Sequence, residues 1–316
     1  MKSAIVGAGA VGAYMGALMA RAGQDVTLFA RGPHLDAMRE RGVRVVAGDG
    51  EFEAHPKVSG SLAEIGRCDV VFLAVKAHSL TALAPLLSPL IGPETVVVSM
   101  QNGVPWWFFE PPLECVDPGG AVSAAIDPRR VAGSIVYFAT EILSPGLIRH
   151  SEGNRISLGE PDGSRSERCR QIAETLIAAG LRCPVTARLR QEIWVKLLGN
   201  AAFNPISALT GATLAGIASD PDVCGLVRRI MEEAVAIAAK LGMEMPVSID
   251  QRIAGAAKVG EHKTSMLQDL EAGRPMELEA VVGAVVELGD RLGIPVPHTR
   301  SVYACAKLLG RVRANS

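Results

Sequence analysis

A chain of 316 residues has room for about two domains, each with a substantial core. Its formal net charge of −1, with both signs scattered, excludes a basic nucleic-acid face and an acidic tail, and the 48% hydrophobic content, of which little is aromatic, fits an α/β or helical protein. The cysteines (68, 115, 169, 183, 224 and 305) form no Cys-x-x-Cys pair and the histidines show no metal-ligand spacing, so no metal site is expected and reduced thiols in a cytoplasmic protein are the economical reading.

Residues 2–6 read as a short buried strand. Gly7-Ala8-Gly9-Ala10-Val11-Gly12 follows, and then a helix to about residue 22. The apolar run of residues 1–22 has the outline of a secretory signal, but glycines interrupt it at fixed offsets and a second strand, 25–29, follows at once. This is G-x-G-x-x-G between strand and helix, the context that predicts a dinucleotide site. Gly7 allows the tight turn, Gly9 lets a pyrophosphate approach the backbone, and Gly12 lets helix and strand pack closely. Ala10 and Val11 open the helix whose N-terminus would face the phosphates. Where an NAD protein places an acid after the second strand, this chain has Arg31, which suits the 2′-phosphate of NADP(H) as a charge-assisted partner. A solvated surface arginine is the alternative.

Further strands at 69–75 and 95–100, with helices between them, predict a parallel sheet. Ligands of such sheets lie at the carboxyl ends of strands, which places Lys76 and Asn102 to line cofactor or substrate. A solvated helix-start lysine and a turn asparagine are the competing readings. Residues 104–120 gather Trp106, Trp107, Phe108 and Phe109 among four prolines, a loop that reads as a lid, an interface or a packed connection. Residues 121–125, 134–140, 146–150 and 155–158 read as shorter strands. A helix over 165–179 and a strand near 182–183 complete a first domain, residues 1–186.

From residue 187 to residue 316 the pattern is helical: 188–209, 220–241, 248–259, 264–272, 275–292 and 299–312. Between Ile193 and Leu209 the only charge is Lys196. Lys196, Asn200 and Asn204 are spaced i, i+4, i+8 and share an arc of about 80°, flanked by Ile193, Leu197 and Phe203. A polar stripe on an apolar face needs partners, and a bound polar small molecule would supply them. Alternatively Lys196 pairs with Glu192 and the asparagines satisfy loop backbone. Pro205 should kink this helix. Ser265 and Glu277, in a helix–Gly273–helix segment, would not be singled out on physics alone.

Taken together the motifs resemble the ketopantoate reductase (2-dehydropantoate 2-reductase) family. They are G-A-G-A-V-G at the start, Arg31, V-K-A near 75, Q-N-G at 101–103, W-x-K-L-x-x-N-x-x-x-N-P at 194–205, and S-M-L-Q-D with G-R-P-x-E at 265–277. The resemblance implies an α/β Rossmann-type N-terminal domain plus an all-α C-terminal domain, with catalysis in the cleft. It implies NADP(H) as cofactor and a small 2-oxo acid as substrate, with no nucleic acid or membrane partner and a homodimer left open. By resemblance Lys196 is the catalytic acid and Glu277 its partner. Asn102, Asn200, Asn204 and Ser265 correspond to substrate-contacting positions, and Lys76 lies near both ligands. Glu279, Val282 and Leu214 depart from the Asp, Asn and Asn often found in the family. Those departures leave another branched or bulky 2-oxo acid as the alternative substrate, and a non-catalytic NADP(H)-sensing module is the rival from a different class.

Overall fold

A computed structural model describes residues 1–314. They divide into two compact units: residues 1–101 with 119–189, and residues 102–118 with the chain from Arg190 onward. Residues 102–118 thus group with the helices, although by sequence they follow a strand of the first domain.

The first unit is built on one sheet. Its strands are β1 (Ser3–Val6), β2 (Val26–Phe29), β3 (Val43–Ala47), β4 (Gly50–Ala54), β5 (Lys57–Ser59), β6 (Cys68–Leu73), β7 (Ile91–Ser99), β8 (Val131–Ser144) and β9 (Leu147–Gly159), in the order β4-β3-β9-β8-β7-β6-β1-β2-β5. The run from β5 to β8 is parallel, whereas β9 lies antiparallel to β8 and β4 antiparallel to β3. β1 and β2 are buried at every residue, as strands covered on both faces must be. The chain goes from β1 to β2 on one side and reaches β6 on the other. That reversal makes the carboxyl end of β1 the switch point where doubly wound sheets bind ligands.

Several sequence expectations for this unit need correction. The strands β3, β4 and β5 were not foreseen, although the apolar alternation on either side of Gly48-Asp49-Gly50 carries a hairpin signal. Residues expected as a strand at 121–125 form a short helix, Ala121–Ala125, for which an alanine-rich run is better suited. The separate short strands expected between 134 and 158 are one long hairpin with register shifts between Tyr137 and Thr140. The strand expected near 182–183 is reduced to isolated bridges, Arg155 with Arg182 and Leu158 with Val185.

The second unit is helical. Its long helix, Leu189–Thr210, runs through Pro205 as one element. Trp194 is fully buried, and its indole Nε1 donates to the Ala234 carbonyl at 3.1 Å, tying this helix to Pro221–Lys240. The buried Glu233 carboxylate accepts from the Thr299 amide and from its hydroxyl at 2.9 and 2.6 Å, capping helix Pro297–Ala314. The helix expected over 275–292 starts later. Residues 274–277 are non-helical, Glu279–Gly283 is a π-helical turn, and Ala284–Leu292 is regular.

The aromatic segment is packed. Trp106 and Phe108 are each 1% exposed, and Trp107 is also buried. Both oxygens of Glu287 accept backbone amides of the segment, those of Glu114 and Cys115, at 2.9 Å. Arg190 donates to the Phe108 carbonyl and lies over the Phe108 ring, 4.2 Å from its centroid. Of the three sequence readings these contacts fit the packed connection. Among the described residues no helix is long and apolar enough to cross a membrane, and no cluster of His, Cys, Asp and Glu could hold a metal.

Candidate active site

In the first unit the turn after β1 is shaped by what its glycines exclude. Gly7 has φ +104°, and a methyl group there would stand 2.6 Å from Val75 Cγ1 and 2.8 Å from the Val75 nitrogen. A methyl on Gly12 would stand 2.1 Å from the Gly7 carbonyl oxygen. Gly9 differs: no atom lies within 4 Å of the place where its Cβ would be. It is the residue ahead of helix Ala10–Arg21, supplies no side-chain cap, and has no acid in the turn beyond it. Ala10, Val11 and Gly12 therefore present first-turn amides without a side-chain acceptor, next to open space. That is a cradle for a pyrophosphate.

Arg31 is exposed directly after β2, in extended conformation ahead of helix Gly32–Arg41. Lys76 is half-buried after β6 at the start of helix Ala77–Leu83. Between the ends of β6 and β7, Gln101 donates from Nε2 to the carbonyls of Leu73 and Val75, at 2.7 and 3.2 Å. The residues present fit a dinucleotide carrying a 2′-phosphate.

In the second unit three predicted residues meet although 94 and 175 positions separate Asn102 from its two partners. Lys196 Nζ donates to Asn102 Oδ1 at 2.8 Å. Asn102 Nδ2 stands 3.4 Å from Glu277 Oε2, a long hydrogen bond. Glu277 is 7% exposed. Burial pushes the Lys196 ammonium down to about 8, and the nearby Glu277 carboxylate pulls part of the way back. Asn200 is half-buried and Asn204 is buried, one and two turns along the face that carries Lys196. Ser265 is the outlier. It is exposed at the start of helix Ser265–Glu271, and the cap it resembles is supplied by Thr264, which accepts from the Leu267 amide.

A half-buried lysine with a lowered pKa, bridged by a carboxamide to a buried carboxylate, has the features a proton donor needs. The open glycine turn has room for a phosphate group, and Arg31 is an exposed cation. The family models described as "Ketopantoate reductase PanE/ApbA" and "Ketopantoate reductase PanE/ApbA C terminal" match residues 3–163 and 188–310.

The chain belongs to the ketopantoate reductase family.

The 2-dehydropantoate 2-reductase of Mesorhizobium japonicum is 52% identical, with 98% of each chain covered. A solved chain from Ralstonia solanacearum superposes with a TM-score of 0.94 at 40% identity, covering 99% of this chain and 98% of the other. The 2-dehydropantoate 2-reductase of Methylococcus capsulatus gives a TM-score of 0.84 at 32% identity, covering 100% and 99%. The family is one of NADP-dependent oxidoreductases, with a Rossmann-like sheet domain followed by a helical one.

Two glycines beside the site have close neighbours that the sequence does not reveal. Gly199, on the Lys196 helix, has the Arg252 guanidinium against it: a methyl group there would stand 2.3 Å from Arg252 Nη2. A glycine inside an otherwise strong helix is the signal that could have marked it. Gly103, next to Asn102, is the other. It read as part of a turn, whereas its surroundings are backbone of the π-helical turn.

Proposed function

We propose that the protein reduces 2-dehydropantoate (ketopantoate) to pantoate with NADPH, a step of pantothenate and coenzyme A biosynthesis. The observation that carries this reading is the Lys196–Asn102–Glu277 contact chain with its ammonium poised near pH 8. NADPH, when bound, supplies the hydride to the substrate's C2 carbonyl carbon. Lys196 gives its proton to the carbonyl oxygen, so that the ketone becomes a secondary alcohol, and the neutral amine recovers a proton from water. A donor with a pKa near the working pH releases its proton at little cost and regains it readily. Glu277 keeps the lysine protonated between turnovers, and Asn102 fixes the direction of Nζ. Asn200 and Asn204 align the substrate's oxygen atoms. The first-turn amides beyond Gly9 hold the pyrophosphate, while Arg31 pairs with the 2′-phosphate.

The second reading is a different branched or bulky 2-oxo acid. It is favoured by the half-buried Leu214, where an asparagine is common in the family. The deciding experiment is NADPH oxidation with ketopantoate, its 4-deoxy analogue and a panel of other 2-oxo acids. Ketopantoate with the highest kcat/KM supports the first reading, and a preference for the deoxy analogue or a bulkier acid supports the second. Absence of turnover with every acid would leave only a non-catalytic NADP(H)-sensing role. We place the reaction in the cytoplasm, in keeping with six cysteines that are all free thiols. The homodimer is the assembly to be tested by sedimentation.

A further inference from the structure

Asn102 is attached to the second unit by its own backbone neighbours. Gly103 has φ +85°, and a methyl group on it would stand 2.2 Å from the Ala280 carbonyl oxygen, 2.5 Å from the Ala280 carbonyl carbon and 3.0 Å from the Val281 nitrogen. Main chain lies directly on main chain. The next amide, Val104 N–H, donates to that same Ala280 oxygen at 2.8 Å.

Ala280 belongs to the π-helical turn Glu279–Gly283, in which the Ala284 amide reaches back five residues to the Glu279 carbonyl. Such a turn holds one residue more than an α-helical turn, and it occurs mostly as a single widened turn at functional sites. Glu277 lies three residues before Ala280. The segment carrying Asn102 therefore meets the segment carrying Glu277 twice, once by side chain and once by backbone.

The opposite side of the turn is fastened as well. Glu279 Oε2 accepts from the Tyr303 hydroxyl at 2.5 Å, and Lys307 Nζ lies 3.0 Å from Glu279 Oε1. Gly283 leaves room for this, since a methyl group there would stand 2.6 Å from Glu279 Oε2. The π-helical turn is thus held to helix Pro297–Ala314 on one side and grips the Asn102 segment on the other.

We propose that Gly103 and the π-helical turn Glu279–Gly283 form a backbone clamp that positions the Asn102 carboxamide between Lys196 and Glu277, so that the proton donor is aimed by main-chain contacts outside the reacting groups. The proposal rests on the reading of Lys196 as the acid. Gly103 is a positioning residue: it touches no reactant and acts through Asn102. Displacement of a donor by about 1 Å can cost up to about a hundredfold in rate, and the clamp prevents that displacement.

The test is kinetic. In Gly103→Ala the added methyl must push the segment off Ala280, and kcat is expected to fall by about ten- to a hundredfold. KM for NADPH should stay within about twofold, because the cofactor cradle lies in the other unit. In an Asn102→Ala background the same substitution should cost little more, since residues acting through one another are not additive. A purely structural defect would lower both backgrounds equally.

If Gly103→Ala does not fold, α-hydroxyisovalerate in place of Val104 replaces the N–H by an ester oxygen, removes the bond to Ala280 while keeping the side chain, and should give the same split at smaller amplitude. A parent-like kcat in either variant, or equal losses with and without Asn102, overturns the clamp. Failure of the unmutated protein to reduce any 2-oxo acid overturns the catalytic reading instead. Hydrogen exchange separates the two failures: the Val104 amide should exchange as slowly as those inside helix Leu189–Thr210, whatever the activity.

Discussion

The proposal that Lys196 donates the proton makes the sharpest prediction. Burial lowers Lys196 to about 8 from the ordinary lysine value of 10.5. That shift corresponds to roughly 3 kcal/mol disfavouring the charged form, after the opposing pull of Glu277. The acid form is required for reduction, so turnover should be level below pH 8 and decline above it, tenfold for each pH unit. Folding linkage runs in the corresponding direction. With a folded pKa below the unfolded one, the cost of burying the ammonium is fully present below pH 8. It is relieved as pH rises from the folded pKa to the unfolded one. Lys196→Ala should reduce kcat by roughly 10²–10⁴ and remove the alkaline limb, while NADPH affinity stays near that of the parent. The assay is steady-state NADPH oxidation at saturating substrate from about pH 6 to about pH 10, with thermal melts checking the fold. An alkaline limb that stays above pH 10, or a Lys196→Ala variant within about threefold of the parent, would refute the assignment.

Glu277→Gln takes away the charge that raises the lysine's pKa, so kcat should fall and the alkaline limb should move to lower pH; a limb moving upward contradicts the pairing. Combined with Lys196→Ala it should lose less than the product of the two single effects. Arg31→Asp should weaken NADPH binding by about tenfold, the lower end of the range for a charge-assisted contact because Arg31 is exposed, and should narrow the preference over NADH; equal NADPH and NADH constants in the parent would end the 2′-phosphate assignment. Glu287→Ala leaves the amides of Glu114 and Cys115 without their acceptor and should lower unfolding free energy by about 1–3 kcal/mol, with cleavage by limited proteolysis appearing near residues 110–116. A segment 102–118 that is already protease-sensitive in the unmutated protein would contradict the packed connection.

The parts legible in the sequence are those where one local pattern has one physical cause. Glycines at 7, 9 and 12 after a buried strand specify the turn because two of them have no space for a Cβ and the third has open space. The spacing of Lys196, Asn200 and Asn204 puts them on one helix face whatever that helix packs against. What the sequence could not show depends on contacts distant along the chain. Nothing local indicates that Asn102 leaves the strand it follows to join Lys196 and Glu277. Nor does the composition of residues 104–118 reveal that Arg190 and Glu287 bind its backbone. The π-helical turn is equally hidden, since no local feature of Glu279-Ala280-Val281-Val282-Gly283 marks the extra residue within a stretch that reads as one helix.

Those partners also change the meaning of the family departures. From sequence, Glu279 and Val282 weaken the substrate assignment equally. In the fold their surroundings differ. Val282 is fully buried in the π-helical turn, so an apolar side chain there contributes packing, and a carboxamide would need a buried hydrogen-bond partner of its own. Glu279 points its carboxylate to Tyr303 and Lys307, where the longer side chain fastens the turn. Both substitutions therefore bear on how the turn is held, and through Ala280 on where Asn102 stands. On the proposed function, the groups left to read the substrate are the carboxamides of Asn200 and Asn204, on the same helix as Lys196. A substrate hydroxyl aligned by those asparagines would be in register with Lys196 by helix geometry alone.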